Sequence, residues 1–162
     1  MKKYELTSET KVINGVELHR IKALNSFGNI NEGKLGGWIE NEKNLYQDGN
    51  AWVGGNAMVF NNAWVGENAV VRGNAVAEDN ATVGGNATVY ENADFIVFKN
   101  WWSSGRYFTW TRSNNKWSVG CFYGSGEELI AKAYKDSEKS GREYERVVKY
   151  VESILKEENN NK

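Results

Sequence analysis

Residues 50–95 read NAWVGG NAMVFN NAWVGE NAVVRG NAVAED NATVGG NATVYE NADF, a six-residue phrase whose Asn recurs at 50, 56, 62, 68, 74, 80, 86 and 92. Each Asn is followed by Ala, and two places after the Ala stands Val53, Val59, Val65, Val71, Ala77, Val83, Val89 or Phe95. The two-residue alternation of an extended triplet puts the Ala and the aliphatic on one side and the residue between them on the other. The residues that follow are rich in Gly, Asn and Asp, which tolerate positive φ and suit a tight corner. A helix cannot carry this pattern, because a spacing of six drifts around the helical turn and Gly recurs too often. Short strands joined by corners can, if the chain winds as a coil whose turns stack.

The hexad is similar to the repeat of the left-handed parallel β-helix superfamily, with its aliphatic, frequent Gly and small residue at fixed places. That resemblance implies three hexads per triangular coil, so the eight hexads make a little under three coils. It also implies that every corner Asn stacks over another. Upstream, Leu35-Gly36-Gly37-Trp38-Ile39 and Leu45 keep the rhythm, while Asn41 and Gln47 take aliphatic places. The first coil is therefore degraded and reads as a cap, since a bare end would offer unpaired strand edges. The expected fold is mainly β: an N-terminal hairpin and connector cap over 1–34, a short left-handed β-helix over 35–97, and a C-terminal α+β lobe over 98–162.

The flanks support that division. Val12-Ile13-Asn14-Gly15-Val16-Glu17-Leu18 sets an Asn-Gly turn between apolar runs and predicts a hairpin that covers the first rung. Beyond the coil, Phe95 to Phe98, Arg106 to Arg112 and Lys116 to Tyr123 predict a three-stranded antiparallel sheet. Ser125-Gly126-Glu127-Glu128 has the form of a capping box and predicts one helix. Ser140-Gly141-Arg142-Glu143 predicts the start of a second, with Tyr144, Val147, Val148, Val151, Ile154 and Leu155 along one stripe and a frayed tail from Glu157.

A chain of 162 residues with a net charge of -1 has no basic excess for long nucleic acid and no stripe for a membrane surface. No signal peptide and no long apolar run is visible, and the single Cys121 cannot form an internal disulfide, so a cytoplasmic setting is expected. Many coils of this superfamily are acyltransferases with a histidine base at the groove between coils. Here the one histidine, His19, lies in the predicted hairpin, so no catalytic residue is assigned. One His and one Cys cannot supply the ligands of a zinc carbonic anhydrase, and Thr82 and Thr88 do not form the ranked face of an ice binder. No metal and no cofactor is expected.

Two groups of residues stand out. Trp52, Met58, Trp64, Val70 and Val76 occupy outward places of the triplets, which water-facing sites would not normally hold. They are expected to be covered by the chain's own ends or by a homo-oligomeric interface, and the resemblance implies a trimer. The second group is Trp101, Trp102, Ser104, Arg106, Tyr107, Arg112 and Ser125, near Trp110, Trp117 and Phe122. Aromatic faces stack on a planar base, Arg forks pair with phosphate, and a capped helix start offers N–H groups to an anion. Trp110, Trp117 and Phe122 read better as core.

The Leu35 to Glu40 phrase leading into Asn-Ala-x-Val hexads is also similar to coil proteins of bacteria and their phages. Some small phage-borne oligomers trap nucleotide-derived immune signals such as cyclic nucleotides or ADP-ribose derivatives. The expected function is thus a non-enzymatic oligomer that sequesters a small anionic nucleotide-like ligand. A structural or protein-interaction module is the alternative, and an acyltransferase a distant third.

Overall fold

The computed structural model describes residues 1–162. Within the repeat, the chain forms seven two-residue strands: β4 (Trp52–Val53), β5 (Met58–Val59), β6 (Trp64–Val65), β7 (Val70–Val71), β8 (Val76–Ala77), β9 (Thr82–Val83) and β10 (Thr88–Val89). They pair in parallel along three ladders: Trp52 with Val70 and Val70 with Thr88, Met58 with Val76, and Trp64 with Thr82. Each turn of the coil therefore consumes three hexads. The Ala and aliphatic rows from Ala51 to Val89 are wholly inside. Each buried Val contributes about 1.5–3 kcal/mol relative to exposure, so the rows hold the turns together.

The corners obey one rule. Positive φ falls at Gly49, Gly55, Asn61, Glu67, Gly73, Asp79 and Gly85, always the residue just before the hexad Asn. Asn50 Nδ2 donates to Asn68 Oδ1 (3.0 Å) and Asn56 Nδ2 to Asn74 Oδ1 (3.4 Å), as stacked corners require. On the third corner the side-chain bond is formed one residue earlier, from Asn61 Nδ2 to Asp79 Oδ1 (3.4 Å). The eighth hexad does not wind. Glu91 stays extended at φ -138, Asn92–Asp94 forms a 3-10 turn, and Phe95 enters the next sheet. The coil thus stops short of Val97.

Below the coil, β1 (Tyr4–Ile13) and β2 (Val16–Ala23) form the expected hairpin, with Asn14 at φ 50 and Gly15 at φ 81. Positive φ at both central residues matches the twist of the strands. β2 pairs antiparallel with β3 (Leu35–Ile39), which lies parallel to β5 through Trp38 with Met58. Tyr4, Ile21 and Ala23 join the coil core as a plug. Side chains serve the lowest carbonyls: Tyr4 Oη donates to Leu45 O (2.7 Å), Lys3 Nζ to Ala51 O (2.9 Å) and Asn44 Nδ2 to Ala63 O (2.9 Å). Gly36 and Gly37 allow this close seating, since a Cβ at Gly36 would lie 2.6 Å from the Trp52 ring and one at Gly37 2.6 Å from Ala57 O.

Above the coil, the lobe has four antiparallel strands rather than three: β11 (Phe95–Lys99), β12 (Tyr107–Thr111), β13 (Lys116–Val119) and β14 (Phe122–Gly124), in that order. Gly120 at φ +58 bends the expected Lys116 to Tyr123 strand into two. Helix α1 (Gly126–Asp136) starts with the expected capping box, Glu128 N to Ser125 Oγ (3.2 Å) and Ser125 N to Glu128 Oε2 (2.7 Å). Helix α2 (Glu138–Asn160) starts before Ser140, because Ser137 accepts from Ser140 N (3.0 Å) and is the true cap; it runs on through the segment expected to fray. The lobe seals the upper rung with one side-chain oxygen per ladder. Val76 N donates to Asn92 Oδ1 (2.8 Å), Thr82 N to Thr109 Oγ1 (2.9 Å) and Thr88 N to Ser113 Oγ (2.8 Å). The whole is mainly β with two helices, neither long and apolar enough to cross a membrane.

Candidate functional site

The lobe carries a cleft of about 460 Å³ between the loop after β11, the bend at Gly120, the second half of α1 and the first turns of α2. Val119, Phe122, Leu129 and Ala133 give it apolar wall, and Arg106, Lys132 and Asp136 are its charged lining residues. The lining thus holds two cationic side chains and one carboxylate, where the last turns of α1 meet the first turns of α2. Arg106 crosses the backbone at Gly120, where a Cβ would come within 2.5 Å of Nη1, so the bend and the guanidinium share one space.

The loop is held by its own polar groups. Asn100 N donates to Arg106 O (2.8 Å), Arg106 N to Ser104 Oγ (3.2 Å), and Ser103 N to Asn100 Oδ1 (2.9 Å). The buried Asn100 then donates from Nδ2 to Tyr144 Oη (3.3 Å), and Trp102 Nε1 donates to Ser140 Oγ (3.3 Å). These two bonds tie the loop to α2. Cys121 stands at the cleft with an exposed free thiol.

Of the residues expected at a ligand site, Ser104 and Arg106 line the cleft. Trp101 is 70% exposed on the loop, with Lys139 Nζ 6.0 Å from its ring. Trp102 is a core residue, not a stacking face: its ring meets Tyr144 edge-on at 4.9 Å and its N–H is spent on Ser140. Tyr107 lies elsewhere, in a seam with Val76, Phe95 and Asp79, under Lys99. Arg112 is committed to Glu158, to Ala93 O (3.1 Å) and to the Trp110 ring, so it braces the lobe. Ser125 is occupied as the α1 cap. Lys132, Asn100, Ser140 and Tyr144 were not legible as site residues. Only the i, i+4 spacing of Lys132 and Asp136 beside Leu129 and Ala133 hinted at a polar edge facing the core.

The outward coil residues are largely sheltered by the chain itself. Trp52 is buried, with Phe27 edge-on at 5.5 Å. Met58 and Val76 pack against Leu18, Trp38 and Phe60 beneath the hairpin tip. Trp64 is half-buried, with Tyr46 edge-on at 6.0 Å, and Val70 is half-buried. His19 sits on the hairpin, 3.7 Å from Glu17, away from the cleft. No group of three His, Cys, Asp or Glu side chains is arranged to hold a metal ion.

No protein-family model matches this chain, and a search of curated proteins finds no match either.

Proposed function

We propose that this protein is a non-enzymatic binder that sequesters a small anionic, nucleotide-derived ligand in the cleft of its C-terminal lobe. The observation that carries the reading is the pairing of Arg106 and Lys132 with an apolar wall in one cleft of about 460 Å³. That volume suits a nucleotide-sized guest, the cations suit its phosphate, and the wall suits its base. Trp101, exposed beside α2 with Lys139 Nζ 6.0 Å from its ring, adds an aromatic face near the same helix start. Cyclic nucleotides and ADP-ribose derivatives are the reference ligands for this reading.

The coil is proposed to wind left-handed, as a member of the hexapeptide-repeat superfamily, and to act as a scaffold. Homo-oligomers, with the trimer first, remain part of the reading because Trp64 and Val70 are only half-covered and Tyr46 and Tyr90 are exposed along the coil. The free exposed thiol of Cys121 accords with a cytoplasmic setting. A protein-interaction module is the second reading, favoured by the open Tyr46 and Trp64 groove of about 390 Å³. The decisive experiment is a thermal-shift panel of nucleotides, cyclic nucleotides and ADP-ribose, with mass measured in solution. Binding that is weakened about tenfold or more in Arg106→Ala and Lys132→Ala supports the cleft. No shift with any compound sinks it and leaves the interaction module.

A further inference from the structure

Two hydroxyls in the cleft wall carry protons that no protein atom accepts. Ser140 and Tyr144 are 8% and 7% exposed, and both line the cleft. Ser140 Oγ receives the Trp102 indole N–H at 3.3 Å. An indole nitrogen only donates, so Ser140 must be the acceptor there and its own proton points elsewhere.

The same logic fixes Tyr144 through one more residue. Ser103 N only donates, and it donates to Asn100 at 2.9 Å, which identifies the facing amide atom of Asn100 as its oxygen. The other amide atom is then the NH₂, which donates to Tyr144 Oη at 3.3 Å. Tyr144 is therefore also an acceptor toward the protein, with its O–H turned away from Asn100. With no protein acceptor in reach, both hydroxyl protons are left to an acceptor that enters the cleft, whether water or a ligand oxygen.

We propose that Ser140 and Tyr144 form an oxyanion subsite in this cleft that selects a terminal phosphomonoester, with Arg106 and Lys132 as its counter-charges. The inference rests on the cleft reading above and narrows it. Four separate donor groups suit the three terminal oxygens of a monoester better than a planar carboxylate with two, or a cyclic diester with two free oxygens. Trp102 and Asn100 are positioning residues: each holds one hydroxyl by the lone pair and turns its proton to the ligand.

The test uses calorimetry on the intact chain with adenosine, AMP, 3′,5′-cyclic AMP, ADP-ribose and inorganic phosphate as probes, and the variants Ser140→Ala and Tyr144→Phe. AMP is expected to bind more tightly than adenosine, cyclic AMP and ADP-ribose. Each variant is expected to lower AMP affinity about tenfold or more while leaving adenosine unchanged. The AMP-to-adenosine ratio within each variant separates a lost hydroxyl from a disturbed fold, which would weaken both ligands together. Equal binding of AMP and cyclic AMP, or an unchanged ratio in both variants, overturns the monoester subsite but leaves the cleft as a nucleotide site. Absence of binding by every probe overturns both.

Discussion

At the scale of single residues, the corners show how two glycines of one column differ. Gly55 and Gly73 lie one turn apart, both at positive φ. A Cβ at Gly55 would stand 3.4 Å from Gly73 N, an ordinary contact, whereas a Cβ at Gly73 would stand 2.7 Å from Tyr90 O. Gly55→Ala is therefore expected to cost about 1–2 kcal/mol, the left-handed backbone penalty alone. Gly73→Ala adds a collision with fixed backbone and is expected to cost about 1–3 kcal/mol more. Urea unfolding of the two variants checks the order; equal losses would mean that the corner above is free to move. Whether a side chain faces in or out was the hardest thing to read at this scale. Adjacent Trp101 and Trp102 are alike in sequence, yet one is exposed and the other packs on Tyr144, because a loop has no fixed alternation to assign their directions.

At the scale of elements, the upper seal separates a buried cap from a wet one. Thr109 is fully buried and accepts from Thr82 N at 2.9 Å, while the bond from Thr88 N to Ser113 is exposed. Thr109→Val keeps the shape but leaves the part-buried Thr82 N–H without its acceptor, so it is expected to cost about 1–3 kcal/mol and to speed amide exchange at Thr82. Ser113→Ala is expected to cost less, since water replaces the lost oxygen. Thermal melts with amide exchange at both positions test this; equal effects would show that the buried seal does not matter. Elements with strong periodicity were legible in the chain: the two-residue strands, the Asn14-Gly15 hairpin and the Ser125 cap. The errors fall where two local signals compete. Ser137 and Ser140 both resemble caps, and the earlier one wins because its oxygen reaches Ser140 N. Asn92-Ala93-Asp94-Phe95 keeps the motif, but Glu91 is extended where its seven predecessors take positive φ, so the winding stops.

At the scale of the whole molecule, stability is tied to pH through the plug. Burial draws the Lys3 ammonium down to about 8, against a smaller upward pull from Asp48. The ordinary lysine value is 10.5, so between about pH 8 and that value the unfolded chain binds more protons than the folded one. Stability gained from this group is complete above the unfolded value and is lost as pH falls through 8. Burial raises the Tyr4 phenol, with Glu42 adding to it, and that acts in the opposite sense once pH passes its ordinary value of 10.0. Urea midpoints measured between pH 7 and 10 are therefore expected to rise, and Lys3→Met is expected to flatten the rise. An identical slope in the variant would show that another group controls the window.

The register of the ladders has a consequence for how such chains change in length. Partners such as Asn50 and Asn68 are 18 residues apart, so the gain or loss of a full set of three hexads returns hairpin and lobe to their present sides. A single added hexad would swing the lobe by a third of a revolution and pull Asn92, Thr109 and Ser113 away from the amides they now cover. Growth by duplication is thereby quantised, and intermediate lengths are penalised at the seam rather than in the repeat.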